Sequence, residues 1–411
     1  MYRSQTAIYR DCETRPDDPL LDVTCSAIIQ TGTGPLIAMF YTVLSYLLLP
    51  LFWLLAICSR RRPIRRILVI QTAKIGDMIC ATPLFREIKR AHPQATLAVM
   101  HDPLTRPILE FNPHVDTMIP CQQGDFKTLR GKIRLARLLR RGQYDVALIM
   151  NPNVSFIVGT LWAGIPCRLA VYPDFSGRTF RLAAPLLSRT VLHRPDRLLI
   201  DAYFQLLASL GIKATDSRRE VYAAPAAHDR VAGLLGGTSH LIGIAVSSGN
   251  KLKALGTDKL EAIIDLLHSV GSYTIVLIGT EADKEESSSI RSQVKMPDRV
   301  IDTCGMLKLN ELPALLEKLS LFIGVDSGVT YMADAFSIPI VLIAGPVNST
   351  EQRPTNSPQI ILKRNLPCAP CAHVFRAPNQ CATGTRECIN GVSAEEIVQA
   401  ARQLLPSAQF R

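Results

Sequence analysis

With 411 residues, 47% of them hydrophobic, the chain is long enough to form two domains with sizeable cores. Its formal net charge of +11 points to anionic partners. No RNA- or DNA-binding module pattern is present, so nucleic acid is set aside in favour of anionic membrane components or acidic substrates.

Residues 1–34 form an N-terminal tail carrying three arginines against five acids. Residues 35–58, "PLIAMFYTVLSYLLLPLFWLLAIC", hold no charge. This run of about two dozen residues is long enough to cross a bilayer as a helix. It is too long, begins too late and lacks the basic flank of a signal peptide. Five arginines in seven residues, Arg60 to Arg66, follow directly. The positive-inside rule then puts everything beyond in the cytoplasm, the N-terminus outside and the protein at the inner membrane. An in-plane or re-entrant anchor and a soluble segment are the competing readings.

Beyond the arginines, strand and helix patterns alternate. In the first half, strands are predicted at Ile67–Ile70, Ala95–His101, residues 115–121 and Asp145–Met150, with helices at Pro83–Pro93 and Phe126–Arg141. The second helix is strongly basic, through Lys127, Arg130, Lys132, Arg134, Arg137, Arg140 and Arg141. It reads either as a solvated face or as a surface for lipid headgroups or an acidic acceptor. A linker spans Tyr222–His240. The second half has predicted strands at Leu241–Val246, Tyr273–Ile278, Val300–Thr303, Leu321–Val325 and Ile338–Ile343. Its helices are Asp258–Val270, Leu309–Lys318 and Ser393–Leu405. Regular alternation with short loops implies parallel sheets flanked by helices. The two α/β halves look duplicated, and ligands of such sheets bind beyond the carboxyl ends of the strands.

Several strand-end loops carry candidate chemistry. "ILVIQTAKIGDMICATP" (67–83) lacks both GxGxxG and GxxxxGK[ST], so neither dinucleotide nor P-loop binding is indicated. It offers Lys74, Gly76 and Asp77 instead. Asp77 reads as a helix N-cap or as a general base, and Gly76 as a point of close approach. "VDSGVT" places Asp326, Ser327, Gly328 and Val329 between a strand and a helix, where exposed N–H groups and the helix dipole favour an anion. "VSSGNKLKAL" supplies Ser247, Ser248, Lys251 and Lys253, which suit a diphosphate or form a solvated loop. In "IGTEADKE", Glu281 or Asp283 is placed to accept from ribose hydroxyls. Of eleven cysteines, seven are scattered from Cys12 to Cys304. The other four, Cys368, Cys371, Cys381 and Cys388, read as a structural zinc site or as reduced thiols in a small lobe.

Together, "KIGDMICATPLFREIKRAHP", "SSGNKLKAL" and the long block "CGMLKLNELPALLEKLSLFIGVDSGVTYMADAFSIPIVLIAGP" resemble glycosyltransferase family 9, the lipopolysaccharide heptosyltransferase family. The resemblance covers roughly residues 66–405. It implies an α/β GT-B fold: two Rossmann-like domains facing a central cleft, here preceded by an N-terminal membrane-anchor helix. The corresponding domains are residues 64–225 for the acceptor and 226–392 for the donor nucleotide, with a C-terminal helix within 393–411. The resemblance further implies an inverting transfer from a nucleotide sugar, ADP-heptose in this family, to an anionic inner-core glycolipid, with no metal or other cofactor required. On that reading Asp77 is the catalytic base, with Lys74 and Gly76 on the acceptor side. The donor falls to Lys253, with Lys251 as its rival, and to Asp326, Ser327, Gly328 and Val329, to which the local loop readings add Ser247, Ser248 and Glu281. Two departures stand out: Tyr331 occupies a position where the family often has His, and Lys253-Ala254-Leu255-Gly256 one where it often has Lys-x-Trp-Pro. Another nucleotide sugar feeding capsule or O-antigen intermediates, a non-catalytic nucleotide-sugar binder and an epimerase on the same scaffold are the alternatives.

Overall fold

The computed structural model describes residues 34–47, 50 and 63–405. Two six-stranded, wholly parallel sheets organise it. The first contains β1 (Arg66–Gln71), β2 (Thr96–His101), β3 (Thr117–Pro120), β4 (Val146–Ile149), β5 (Cys167–Tyr172) and β6 (Arg189–Leu192), in the order β3-β2-β1-β4-β5-β6. The second contains β7 (Leu241–Ala245), β8 (Thr274–Ile278), β9 (Val300–Asp302), β10 (Leu319–Val325), β11 (Ile340–Ile343) and β12 (Gln359–Leu362), in the order β12-β11-β10-β7-β8-β9. Counted from its own first strand, each sheet has the doubly wound order 3-2-1-4-5-6, so the topology is duplicated. Central strands such as Ile67–Ile70 and Leu321–Ile323 are buried on both faces, which is why they read as continuous apolar runs. Strands β5, β6 and β12 do not stand out in the sequence. They lie at or near sheet edges; β6 and β12 are half-exposed and β5 buries only Leu169, Ala170 and Val171, so the apolar runs are too short to register.

The helices depart from the sequence pattern in instructive ways. Helix α1 (Gly34–Leu47) is the described part of the apolar segment. The rest of that predicted segment, residues 48–49 and 51–58, lies outside the described residues. Among the described residues, no helix is long and apolar enough to cross a membrane. Helix α2 (Ile75–Ala91) starts well before the predicted Pro83 and keeps that proline in its interior. Pro83 has no N–H to offer the Ile79 carbonyl, and the Thr82 hydroxyl donates to that carbonyl instead, at 2.7 Å.

Helix α3 (Leu129–Gly142) is capped by the Thr128 hydroxyl, which accepts from Gly131 N–H at 3.1 Å. Its Lys132 is buried rather than solvated. The ammonium donates to the carbonyls of Phe126 and Lys127 at 3.1 and 2.8 Å, and burial pulls its pKa down to about 8. With α4 (Val154–Trp162) and α5 (Arg178–Ala183), α3 covers one face of the first sheet. Helix α6 (Ala227–Leu235) forms inside the predicted linker, burying Val231 and Leu235. In the second half, α7 (Thr257–Val270) packs against α9 (Ala394–Leu404). Ser393 and Glu396 begin α9 with reciprocal side-chain-to-backbone bonds. Helix α8 (Gly328–Ala335) follows β10 and packs on α2, joining the two halves.

Candidate active site

The loops after β1, β7 and β10 issue from the inner strands of their sheets, where the strand order reverses. Lys74 is the N-cap of α2, and Asp77 is its third helical residue rather than the cap. The Lys74 backbone N–H favours the Asp77 carboxylate, as the start of a helix does for an acid in its first turn. Ser327 is the N-cap of α8, which leaves Gly328 and Val329 in its first turn.

These two helix starts meet. A Cβ on Gly328 would stand 2.8 Å from Cγ2 of Ile75 and 3.4 Å from the Gly76 nitrogen. A Cβ on Gly76 would lie 3.1 Å from Cδ2 of Tyr331 and 3.6 Å from Cα of Gly328. Two glycines are therefore what let the backbones approach, and the positive ends of both helix dipoles converge there.

Asp77 and Asp326 share this seam. Burial, then the Asp326 charge, pushes the Asp77 carboxyl up to about 6, against the opposing pull of the Lys74 N–H and the Lys253 and Lys74 ammonium groups. Lys253 binds Asp326 through its carboxylate at 2.5 Å and its carbonyl at 3.0 Å. The other Asp326 carboxylate oxygen accepts from the Tyr331 hydroxyl. Tyr331 is buried, and its phenol is held well above its usual pKa, chiefly by burial, so its proton stays on as a donor. The Arg219 guanidinium lies 5.1 Å from the centre of the Tyr331 ring. Arg219 also pairs with Asp334 and donates to the Arg353 carbonyl at 2.8 Å. Asp334 in turn accepts from the backbone N–H groups of Thr355, Asn356 and Ser357. Arg219 and Asp334 carry no motif signal, because their partners are far away in the chain. Tyr331 shows only as a departure from the family pattern.

The other predicted residues spread outward. The Ser247 hydroxyl favours the ionised form of Asp283, whose carboxylate binds the N–H and hydroxyl of Thr280 at 2.7 and 2.8 Å. Lys251 attracts Asp283, whereas Lys253 turns to Asp326. Ser248 accepts a long bond from Asn250 N–H at 3.5 Å. Glu281 sits at the rim with its side chain 74% exposed, paired with Lys284 at 2.8 Å. The thiols of Cys368, Cys371 and Cys381 add to the burial that raises the Cys388 pKa. Among the described residues, however, no three His, Cys, Asp or Glu side chains converge to hold a metal.

A second contact between the halves centres on Glu351. Its buried carboxylate binds His193 at 3.2 Å, Asn348 at 2.7 Å, the Val374 N–H at 2.9 Å and His373. Burial alone would raise its pKa, but these hydrogen bonds outweigh that and bring it down to about 2.

Two doubly wound domains with strand-end loops meeting at a carboxylate pair have the architecture of a GT-B glycosyltransferase. The family model of glycosyltransferase family 9 (heptosyltransferase) matches residues 132–380, more than half of the chain. The chain belongs to that family and is a glycosyltransferase. It is 24% identical to lipopolysaccharide heptosyltransferase 3 of Escherichia coli K12 over 80% of this chain and 95% of that protein. It is also 24% identical to lipopolysaccharide heptosyltransferase 2 of the same strain, over 68% and 83%. Among solved structures, the fold is similar to the family 9 glycosyl transferase of Veillonella parvula, with a TM-score of 0.67 and 21% identity, covering 83% of this chain and 97% of that one. E. coli ADP-heptose heptosyltransferase II gives a TM-score of 0.64 at 20% identity, covering 82% and 98%.

Proposed function

We propose that this chain transfers heptose, with inversion, from ADP-heptose to an anionic lipopolysaccharide inner-core acceptor at the cytoplasmic face of the inner membrane. The observation that carries the chemistry is a carboxylate with a pKa of about 6, Asp77, held against the donor-side Asp326–Lys253 pair. The names of the heptosyltransferase relatives support the donor and the acceptor. The basic charge of the chain and its apolar N-terminal segment support the membrane.

In the proposed step, Asp77 takes the proton of an acceptor hydroxyl. That oxygen forms a bond to the anomeric carbon from the side opposite the nucleotide. The bond from that carbon to the phosphate oxygen breaks, and the electron pair leaves with ADP. The Gly328 and Val329 N–H groups, together with Lys253, stabilise the charge that grows on the diphosphate. Lys253 and Asp326 are paired in this structure, so the ammonium must share itself between the carboxylate and the arriving phosphate.

A panel of nucleotide sugars, each with and without a lipid A–inner-core acceptor, tests the reading. Acceptor-dependent release of ADP from ADP-heptose is expected. Release only from another donor redirects the reading to that sugar. Donor converted without acceptor indicates an epimerase, and saturation without turnover indicates a binder.

A further inference from the structure

Over residues 39–47, helix α1 shows its apolar side to the outside. Its inward side carries Tyr41, Thr42 and Ser45, all buried. Its outward side carries Met39, Phe40, Val43 and Leu47, exposed by 45, 62, 54 and 74%. At about 100° per residue these four share one face. A helix on a water-soluble surface has the opposite polarity, with apolar residues inward.

The inward side is firmly seated. Trp162 of α4 donates its indole N–H to the Ser45 hydroxyl at 3.0 Å, and that hydroxyl donates to the Tyr41 carbonyl at 2.7 Å. The Tyr46 hydroxyl donates to the Leu182 carbonyl of α5 at 2.8 Å. The Lys132 ammonium of α3 lies 4.5 Å from the centre of the Tyr41 ring. Helix α4, sandwiched between the sheet and α1, is accordingly apolar nearly all round. The seating makes α1 an outer layer on the first domain rather than a free-standing rod.

Beside it, α3 covers the same face of the sheet and turns Arg130, Arg137, Arg140 and Arg141 outward. Arg181 and the 45%-exposed Leu182 extend the surface onto α5. Apolar side chains in the middle and guanidinium groups at the flank match the acyl and headgroup layers of an anionic bilayer.

We propose that α1 lies in the plane of an anionic membrane, with Met39, Phe40, Val43 and Leu47 in the acyl boundary and the α3 arginines on the headgroups. The first domain then meets the bilayer side-on through this surface. The inference deepens the membrane part of the proposed function and rests on it for the choice of lipid as partner.

The test is flotation of the full chain with phosphatidylcholine vesicles with and without phosphatidylglycerol. The wild type is expected to float with phosphatidylglycerol vesicles, less so in high salt or on phosphatidylcholine alone. F40E/V43E places charges only on the outward face, so its melting temperature should hold while its vesicle partition falls by about tenfold or more. R130E/R137E/R141E should abolish the preference for phosphatidylglycerol. Unchanged flotation of F40E/V43E overturns the proposal, and so does a wild type that ignores vesicles. If light scattering shows a wild-type dimer that F40E/V43E dissolves, a second copy covers the face and the proposal also fails. Turnover with a lipid-free oligosaccharide acceptor should be equal in all these proteins. Its absence in the wild type would count against the proposed reaction while leaving the flotation result to stand.

Discussion

Protonation of Asp77 should set the acid limb of catalysis. Burial and the Asp326 charge lift this carboxyl from 3.8 to about 6, so the form able to accept a proton dominates only above that value. Log kcat/KM should therefore fall with unit slope below pH 6, reaching about one tenth of its plateau near pH 5. Asp77→Asn removes the base and should lower the plateau by roughly 10²- to 10⁴-fold, about 3–5 kcal/mol in the barrier, with no limb left at this pH. Asp326→Asn takes away the second cause of the shift and frees Lys253, whose charge favours the Asp77 carboxylate. Both changes act in one direction, so the limb of Asp326→Asn should move to lower pH even where donor binding weakens. The assay is initial-rate release of ADP from about pH 4.5 to 8.5, with pre-equilibrium controls for stability. An Asp77→Asn enzyme with near-normal turnover, or one that keeps the wild-type limb, refutes the assignment.

Three further outcomes are expected. Lys253→Ala should weaken donor binding by about tenfold or more, as the loss of a charge-assisted phosphate contact does, while Lys251→Ala changes it little; calorimetric titration showing the reverse would mean that the wrong lysine faces the diphosphate. Arg219→Ala leaves the buried Asp334 carboxylate without its guanidinium and should cost about 3–5 kcal/mol in urea denaturation, an effect under 1 kcal/mol being incompatible with this pairing. Glu351 has its pKa lowered from 4.5 to about 2, so its stabilisation is complete above 4.5 and vanishes as pH falls through 2. Glu351→Gln should cost about 3 kcal/mol at pH 7 and progressively less below pH 4.5, and a penalty that does not change with pH would contradict the assignment.

The site was legible where its chemistry is local. Asp77 with Gly76, and Asp326 with Ser327 and Gly328, stand at strand-to-helix junctions whose pattern is visible within a dozen residues. The start of α2 is legible only as two rival readings, a cap at Asp77 and a beginning at Pro83; the Thr82 hydroxyl, taking the orphaned carbonyl, lets the helix run through Pro83. In the sequence Lys132 is one more basic residue of a strongly basic helix. Its burial follows from the carbonyls of Phe126 and Lys127 and the ring of Tyr41, groups that no periodicity brings together.

What the sequence determined by itself was the alternation of buried strands with helices, hence two parallel sheets, and the residue types at the ends of their inner strands. Those are consequences of hydrophobic period and turn chemistry, both of which act over a few neighbours. Tertiary structure alone decided that Gly76 and Gly328, about 250 positions apart, touch and so bring Asp77 under the influence of the Asp326 charge. It also decided that Lys253, 73 positions from Asp326, joins the nearby Tyr331 on that carboxylate, and that α1 turns Thr42 and Ser45 inward. Electrostatics and packing act across space, and the chain distance between these partners carries no trace of it.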